Sequence, residues 1–159
     1  MFRDLRRKKQ QMPIELTHKV LCNGSHGILA CHGDDGYPYT VALNYVYTDG
    51  KIYFHSAKEG HKIDAIQKNS KVAFTVVGED TIVSEEYTSY YRSVVVFGRV
   101  RVVEDEQEWF EAFEILVEKY AKDRPTDEKI RTIKGCNRAL VIAIDIEHMT
   151  GKQARGLAH

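Results

Sequence analysis

The sequence predicts a mainly β protein, a small antiparallel barrel decorated with helices. Three observations carry this. Runs of alternating or β-branched residues follow one another across short Gly- and Asp-containing turns, as hairpins do. Helical apolar spacing occurs in only three places: near the start, after the third strand and between the last two strands. Strands therefore do not alternate strictly with helices, which argues against a parallel doubly wound sheet.

Residues 1–12 form a basic arm containing Arg3, Arg6, Arg7, Lys8 and Lys9. It is expected to be a solvated tail, with packing on a partner subunit as the alternative. Residues 13–159 are expected to form a single domain, since the length lies within the usual range for one. After Pro13 a helix is predicted from Ile14 to Asn23, with Leu16, Val20 and Leu21 as its apolar stripe and Gly24 as its stop. Gly27 to His32 reads as the first strand, and residues 33–36 turn the chain into a second strand beginning near Pro38.

Residues 37–62 carry the most information. Tyr39, Val41, Leu43, Tyr45 and Tyr47 fall on one face of the second strand and are expected to be core. Thr40, Ala42, Asn44 and Val46 fall on the other, a small and partly polar face with room for something flat. Asp49-Gly50 supplies the positive φ of a tight hairpin turn. Lys51 to Ala57 is the returning strand, which completes a three-stranded meander, and Lys62 to Lys68 is a helix. Lys71 to Val77 is a fourth strand, followed by a loop from Gly78 to Ile82. A fifth strand is centred on Tyr90 to Val103, with Gly98 marking a bulge or close approach. Acidic residues 104–106 signal a helix start, and Trp109, Phe113, Leu116, Val117 and Tyr120 recur at helical spacing as a core stripe. Asp127 to Lys134 reads as a short further helical turn. Arg138 to His148 is the sixth strand, with Leu140, Ile142, Ile144 and Ile146 on one face, and the tail from Met149 is expected to be polar and exposed.

Composition narrows the function classes. Basic and acidic residues balance at 23 each, so the chain lacks the electrostatic footprint of a nucleic-acid binder. No apolar run approaches the length of a membrane span, and no signal-peptide pattern follows the basic start, so a cytoplasmic location is expected. Cys22, Cys31 and Cys136 are too few and too scattered for a disulfide framework. Cys22, Cys31 and His32 lack the usual zinc-ligand spacing, so no metal is expected. No glycine fingerprint of a dinucleotide fold follows a strand.

Chemistry is most plausible where the returning strand meets its helix. A helix start offers free N–H groups and the positive end of the dipole. Here Ser56, Lys58, Gly60, His61 and Lys62 surround it, a set of hydroxyl, amide and cationic donors suited to phosphate. The same residues also read as a solvated basic turn with an ordinary cap, and the spacing alone leaves both readings open.

The run from Asp35 to Lys62 resembles the FMN-binding split-barrel family related to pyridoxamine 5′-phosphate oxidase, and more closely its nitroimidazole-resistance (Nim) branch. Arg6 to Lys8, Tyr91 to Arg99 and Ile146 to Lys152 are similar to the same branch. The resemblance spans nearly the whole chain in the family's order. It implies a homodimer of six-stranded antiparallel split barrels with FMN, or possible FAD, at the subunit interface. It places the flavin ring along Tyr39, Thr40, Val41, Ala42, Leu43 and Asn44. It makes His55, Ser56, Gly60, His61 and Lys62 the phosphate side of the site, with Ser93 near the flavin. His55 is then the candidate catalytic or substrate-contacting residue. His61 stands where the oxidases carry an arginine, and Asn44 where they carry a substrate-side lysine. The segment from Tyr120 to Pro125 is similar to their substrate-phosphate motif, but the serine that follows that motif is missing. The activity implied is flavin-dependent reduction of small molecules such as nitroimidazoles. A non-catalytic flavin carrier is the alternative, and a pyridoxamine 5′-phosphate oxidase the weaker one.

Overall fold

The computed structural model describes residues 1–136 and 139–158. Four helices, α1 (Ile14–Asn23), α2 (His61–Lys68), α3 (Glu106–Tyr120) and α4 (Thr126–Gly135), surround one antiparallel sheet. Its strands are β1 (Gly27–His32), β2 (Pro38–Leu43), β3 (Val46–Thr48), β4 (Lys51–Ser56), β5 (Lys71–Val83), β6 (Thr88–Val102) and β7 (Leu140–Gln153). The sheet order is β2-β1-β5-β6-β7-β4-β3.

The two outermost strands of that order, β2 and β3, are consecutive in the chain, with only Asn44 and Tyr45 between them. The sheet must therefore curl until its two edges meet at this crossover. No hydrogen-bonded ladder joins those edges among the described residues, so the barrel is closed by the covalent chain and remains split. The expected long second strand is thus two strands, which raises the count from six to seven. The expected meander is also corrected: β1 pairs with β2 and β5, while β4 pairs with β3 and β7.

The alternation read from the sequence holds through the crossover. Tyr39, Val41, Leu43, Tyr45 and Tyr47 all face the main core, and Tyr45 is fully buried. Leu29, Phe54, Phe74, Val96, Ile142 and Ile144 meet there, and α1 and α2 add Leu21 and Ile63. The opposite face of β3, β4 and β7 is covered by α3 and α4, which bury Val46, Tyr53 and Val141 against Phe113, Leu116 and Ile133. Asp105 caps α3 by accepting a hydrogen bond from the Glu108 N–H at 2.7 Å, as the acidic start signal implied.

Two strand ends and one helix depart from expectation. β5 continues through residues 78–82, where a loop was expected, after a bulge following Val77; there it pairs with β6 as a two-stranded ribbon. The predicted helical turn after Pro125 is a ten-residue helix, α4. β7 runs on to Gln153, because a bulge opposite Phe97 and Gly98 reverses its side-chain parity. Beyond it, Gly151 and Gln153 are buried, so the segment after Met149 is a strand and not an exposed tail. The expected start of this strand at Arg138 lies outside the described residues. Of the arm, the basic side chains are largely exposed, while the Phe2 ring stacks on His148 at a centroid distance of 4.7 Å. Among the described residues, no helix is long and apolar enough to cross a membrane.

Candidate functional site

β2 pairs only with β1, so its second edge from Pro38 to Leu43 carries backbone groups with no ladder partner. Its outward face consists of Thr40 and Ala42, both exposed. The register extends that face across the sheet in two rows: from Ala42 through Ile28, Thr75 and Val95 to Thr150, and from Thr40 through Ala30, Ala73 and Phe97 to His148. Most of these side chains are small, and no helix covers them. Ile28, Val77 and Phe97 are among the large apolar residues left exposed on this face.

The second part of the site is the junction of β4 and α2. Ser56 is the last residue of β4 and shares the inward face of Phe54. It is 5 % exposed, and among the described residues its Oγ has no hydrogen-bond partner. Buried hydroxyls are almost always paired, which makes this one an exception among the described residues. Gly60 precedes α2 at φ 130°, a conformation that favours glycine, and α2 begins with no side-chain cap. The Ile63 and Asp64 N–H groups donate to the Gly60 carbonyl at 2.9 and 3.1 Å, and among the described residues the His61 and Lys62 N–H groups are left without a backbone acceptor. Lys62 is half-buried, Lys58 is exposed, and among the described residues neither is paired with a carboxylate.

His61 joins the two parts. Its ring lies 4.0 Å, centroid to centroid, from Tyr39, the second residue of β2. Its Nε2 is 3.6 Å from an oxygen of Asp34, which also accepts from Lys68 at 2.9 Å. Lys68 holds the Asp34 carboxyl below the usual carboxylate range, with a smaller contribution from His61. His61 is thus directed toward Asp34 and Tyr39, while Lys62 is left an unpaired cation among the described residues.

His55 lies on the opposite face of β4 from Ser56. It is exposed, and its ring centroid is 5.8 Å from that of Phe113. Asn44 is exposed at the crossover; continuing the β3–β4 register by two pairs beyond Val46 and Tyr53 would set it opposite His55. Ser93 is not brought to this junction. It sits on β6 between Val77 and Lys152, with β1 and β5 separating it from β2, about 14 Å at ordinary strand spacing.

Two groups were not anticipated from sequence. Lys119 and Tyr120 hold the crossover through backbone carbonyls, which leave no mark in a sequence. Arg101 forms an ion-pair cluster with Glu108 and Asp145, and Tyr53 donates to Glu108 at 2.7 Å. Among the described residues, no group of three or more His, Cys, Asp and Glu side chains is placed to hold a metal ion.

A split antiparallel barrel with an open edge strand beside an uncapped helix start defines the class, the split barrels of flavoproteins. The family described as pyridoxamine 5′-phosphate oxidase matches residues 15–153, and the chain belongs to that family. Among solved structures it is similar to a candidate 5-nitroimidazole antibiotic resistance protein of Bacteroides thetaiotaomicron, at 25% identity and a TM-score of 0.76, covering 90% of this chain and 86% of that one. It is also similar to an FAD-binding protein of Mesorhizobium loti, at 27% identity and a TM-score of 0.67, covering 91% and 96%. A conserved hypothetical protein of Mycobacterium tuberculosis shares the fold at 21% identity, with a TM-score of 0.82 over 98% and 94% of the two chains. No curated protein matches.

Proposed function

We propose that this chain is a homodimeric flavin-dependent reductase of small molecules such as nitroimidazoles, and that it holds FMN between the free edge of β2 and the start of α2. The observation that carries the flavin assignment is the buried, unpartnered Oγ of Ser56 beside an uncapped helix start and an unpaired Lys62. Hydroxyl, amides and ammonium together suit a phosphate. The edge of β2 offers backbone donors and acceptors to the rim of a flat ring, and Thr40 and Ala42 leave space beside it. The resistance protein of Bacteroides supports the nitroimidazole reading, and the Mesorhizobium protein keeps FAD as the alternative flavin.

The bound flavin would supply the redox chemistry; the protein supplies binding, orientation and proton handling. Lys62 and Ser56 hold the phosphate. His55 is the residue assigned to deliver a proton to the substrate or to hold an anionic one. The partner subunit covers the face around Ile28 and Val95, beside the Phe2 ring that lies on Phe97 and His148, and brings Ser93 to the flavin. The rest of the run from Val94 to Val103 is largely committed to the chain's own core, with Val94, Val96, Val100 and Val103 buried.

One observation favours a non-catalytic carrier instead: the His55 ring lies against Phe113 and makes no hydrogen bond that would orient it among the described residues. Pyridoxamine 5′-phosphate oxidation is disfavoured by Asn44 in place of a lysine and by the engagement of Tyr120 and Arg124 within the protein. The test is the visible absorbance of the purified protein, its bleaching by NADH, NADPH or dithionite, and its recovery on adding a nitroimidazole. Bleaching by a nicotinamide with drug-dependent recovery supports the reductase. Bound flavin that no nicotinamide reduces supports the carrier, and a protein that neither retains nor takes up flavin refutes both.

A further inference from the structure

We infer that Lys119 and Tyr120, in the last turn of α3, are positioning residues that set the width of the flavin slot by pinning the crossover between β2 and β3. The inference rests on the flavin reading proposed above.

Asn44 and Tyr45 belong to neither strand, so their backbone groups lack the ladder partners that β2 and β3 enjoy. Buried backbone groups need partners from elsewhere. α3 supplies them from far along the chain. The Tyr45 N–H donates to Tyr120 Oη at 2.9 Å. That hydroxyl lies 2.9 Å from the Tyr45 carbonyl and 2.7 Å from the Ser25 carbonyl, and its single proton serves one of them at a time. Lys119 Nζ donates to the Tyr45 carbonyl at 2.9 Å and to the Gly24 carbonyl at 2.6 Å. It also sits 4.2 Å above the centroid of the Tyr45 ring, within cation–π range. The Tyr45 hydroxyl donates in turn to the Leu21 carbonyl at the end of α1. Burial pushes the Lys119 ammonium down from its ordinary pKa. A half-buried cation spent on two carbonyls with no carboxylate beside it is costly unless the contact matters.

The consequence reaches the site because β2 is held by one ladder only. Its distance from β4 is set where the chain passes from one strand to the other, and that is the pinned point. A slot for a rigid flat ring needs such support behind it. The same geometry reassigns a motif. The segment from Tyr120 to Pro125 is similar to a substrate-phosphate motif, yet the Tyr120 hydroxyl is spent on backbone groups and Arg124 pairs with Glu128 at 2.8 Å.

The test compares wild type with Tyr120→Phe, which removes one oxygen, and with Lys119→Gln and Lys119→Arg. Amide hydrogen exchange at residues 43–46 reads the clamp directly, and titrations with FMN and riboflavin read the slot. In variants that fold, exchange at Tyr45 is expected to quicken. FMN and riboflavin should weaken by the same factor, about two- to tenfold, as expected for the loss of one hydrogen bond. The visible spectrum of the bound flavin should shift, and Lys119→Arg should restore binding relative to Lys119→Gln. Faster exchange with unchanged affinity and spectrum overturns the positioning role, as does unchanged exchange. Weakening confined to FMN would place these residues at the phosphate and also overturn it. A wild type that takes up no flavin refutes the flavin reading and the positioning role with it, and this is known before any variant is made.

Discussion

Replacing Ser56 by alanine should move stability and binding in opposite directions. The Ser56 Oγ is buried at the end of β4 and meets no partner among the described residues. An unsatisfied buried hydroxyl costs roughly 1–3 kcal/mol. Alanine removes the oxygen and leaves almost the same shape, so the flavin-free protein should gain about 1–2 kcal/mol. For a chain of this size that raises the melting temperature by about 2–8 °C. The same oxygen is assigned to the flavin phosphate, where a charge-assisted hydrogen bond contributes about 1.5–3 kcal/mol. FMN should therefore bind about ten- to a hundredfold more weakly to Ser56→Ala. The assay is scanning calorimetry of wild type and variant without flavin and then at a series of FMN concentrations. The variant should melt higher without ligand, and wild type should overtake it as FMN is added. If Ser56→Ala lowers the melting temperature without ligand, or leaves the FMN-induced shift unchanged, the hydroxyl is not waiting for a phosphate.

His55→Ala should leave FMN affinity unchanged and slow reoxidation of the reduced protein by a nitroaromatic by about 10²–10⁴-fold, with the wild-type rate falling as rising pH removes the imidazolium. Equal stopped-flow rates at equal flavin occupancy would remove His55 from the reaction. Glu108 is held down to about 2 by hydrogen bonding from Arg101, opposed by its burial and aided by Tyr53. A depressed carboxylate stabilises the fold fully above its unfolded value near 4.5 and loses that contribution as pH falls toward 2. Arg101 is 38% exposed, so the contribution is screened to about 1–2 kcal/mol. Urea denaturation of Glu108→Gln should show that deficit at neutral pH and little of it near pH 2, and a gap constant across this range would contradict the assignment. Sedimentation at micromolar protein should show a dimer burying at least about 2,000 Å², and a flavin-loaded monomer would contradict the covered-face account.

Much of the fold follows from local pattern. The stripes of α1, α2 and α3 and the alternation through residues 39–47 are set by burial on one face, which leaves a periodic trace in the sequence. The crossover at Asn44 and Tyr45 leaves none, because the alternation passes through it undisturbed and only pairing with distant strands divides β2 from β3. The outer half of β5 was not legible either: it is a solvent-exposed ribbon whose stability comes from pairing, as between Thr81 and Tyr90, and not from an apolar face. The end of β7 was misread because the bulge near His148 turns Gly151 and Gln153 inward, reversing the parity that Leu140 to Ile146 establish. At the site, Ser56, Gly60 and Lys62 were legible because their chemistry lies within a few residues of one helix start. The direction of His61 toward Asp34 was not, since it depends on a turn from another part of the sheet. Ser93 stands apart from the others within one chain, where sequence order carries no distance.

The most direct test is a titration of flavin-free protein with FMN and with riboflavin, for wild type and for Lys62→Ala. Lys62 is half-buried at the first turn of α2 with no carboxylate beside it among the described residues, so its ammonium is available to a phosphate. Wild type should bind one FMN per chain and bind riboflavin more weakly. Lys62→Ala should weaken FMN by about ten- to a hundredfold and leave riboflavin almost unchanged. Equal weakening of both ligands, or of neither, or no saturable binding of FMN by wild type, would contradict a phosphate held at the start of α2.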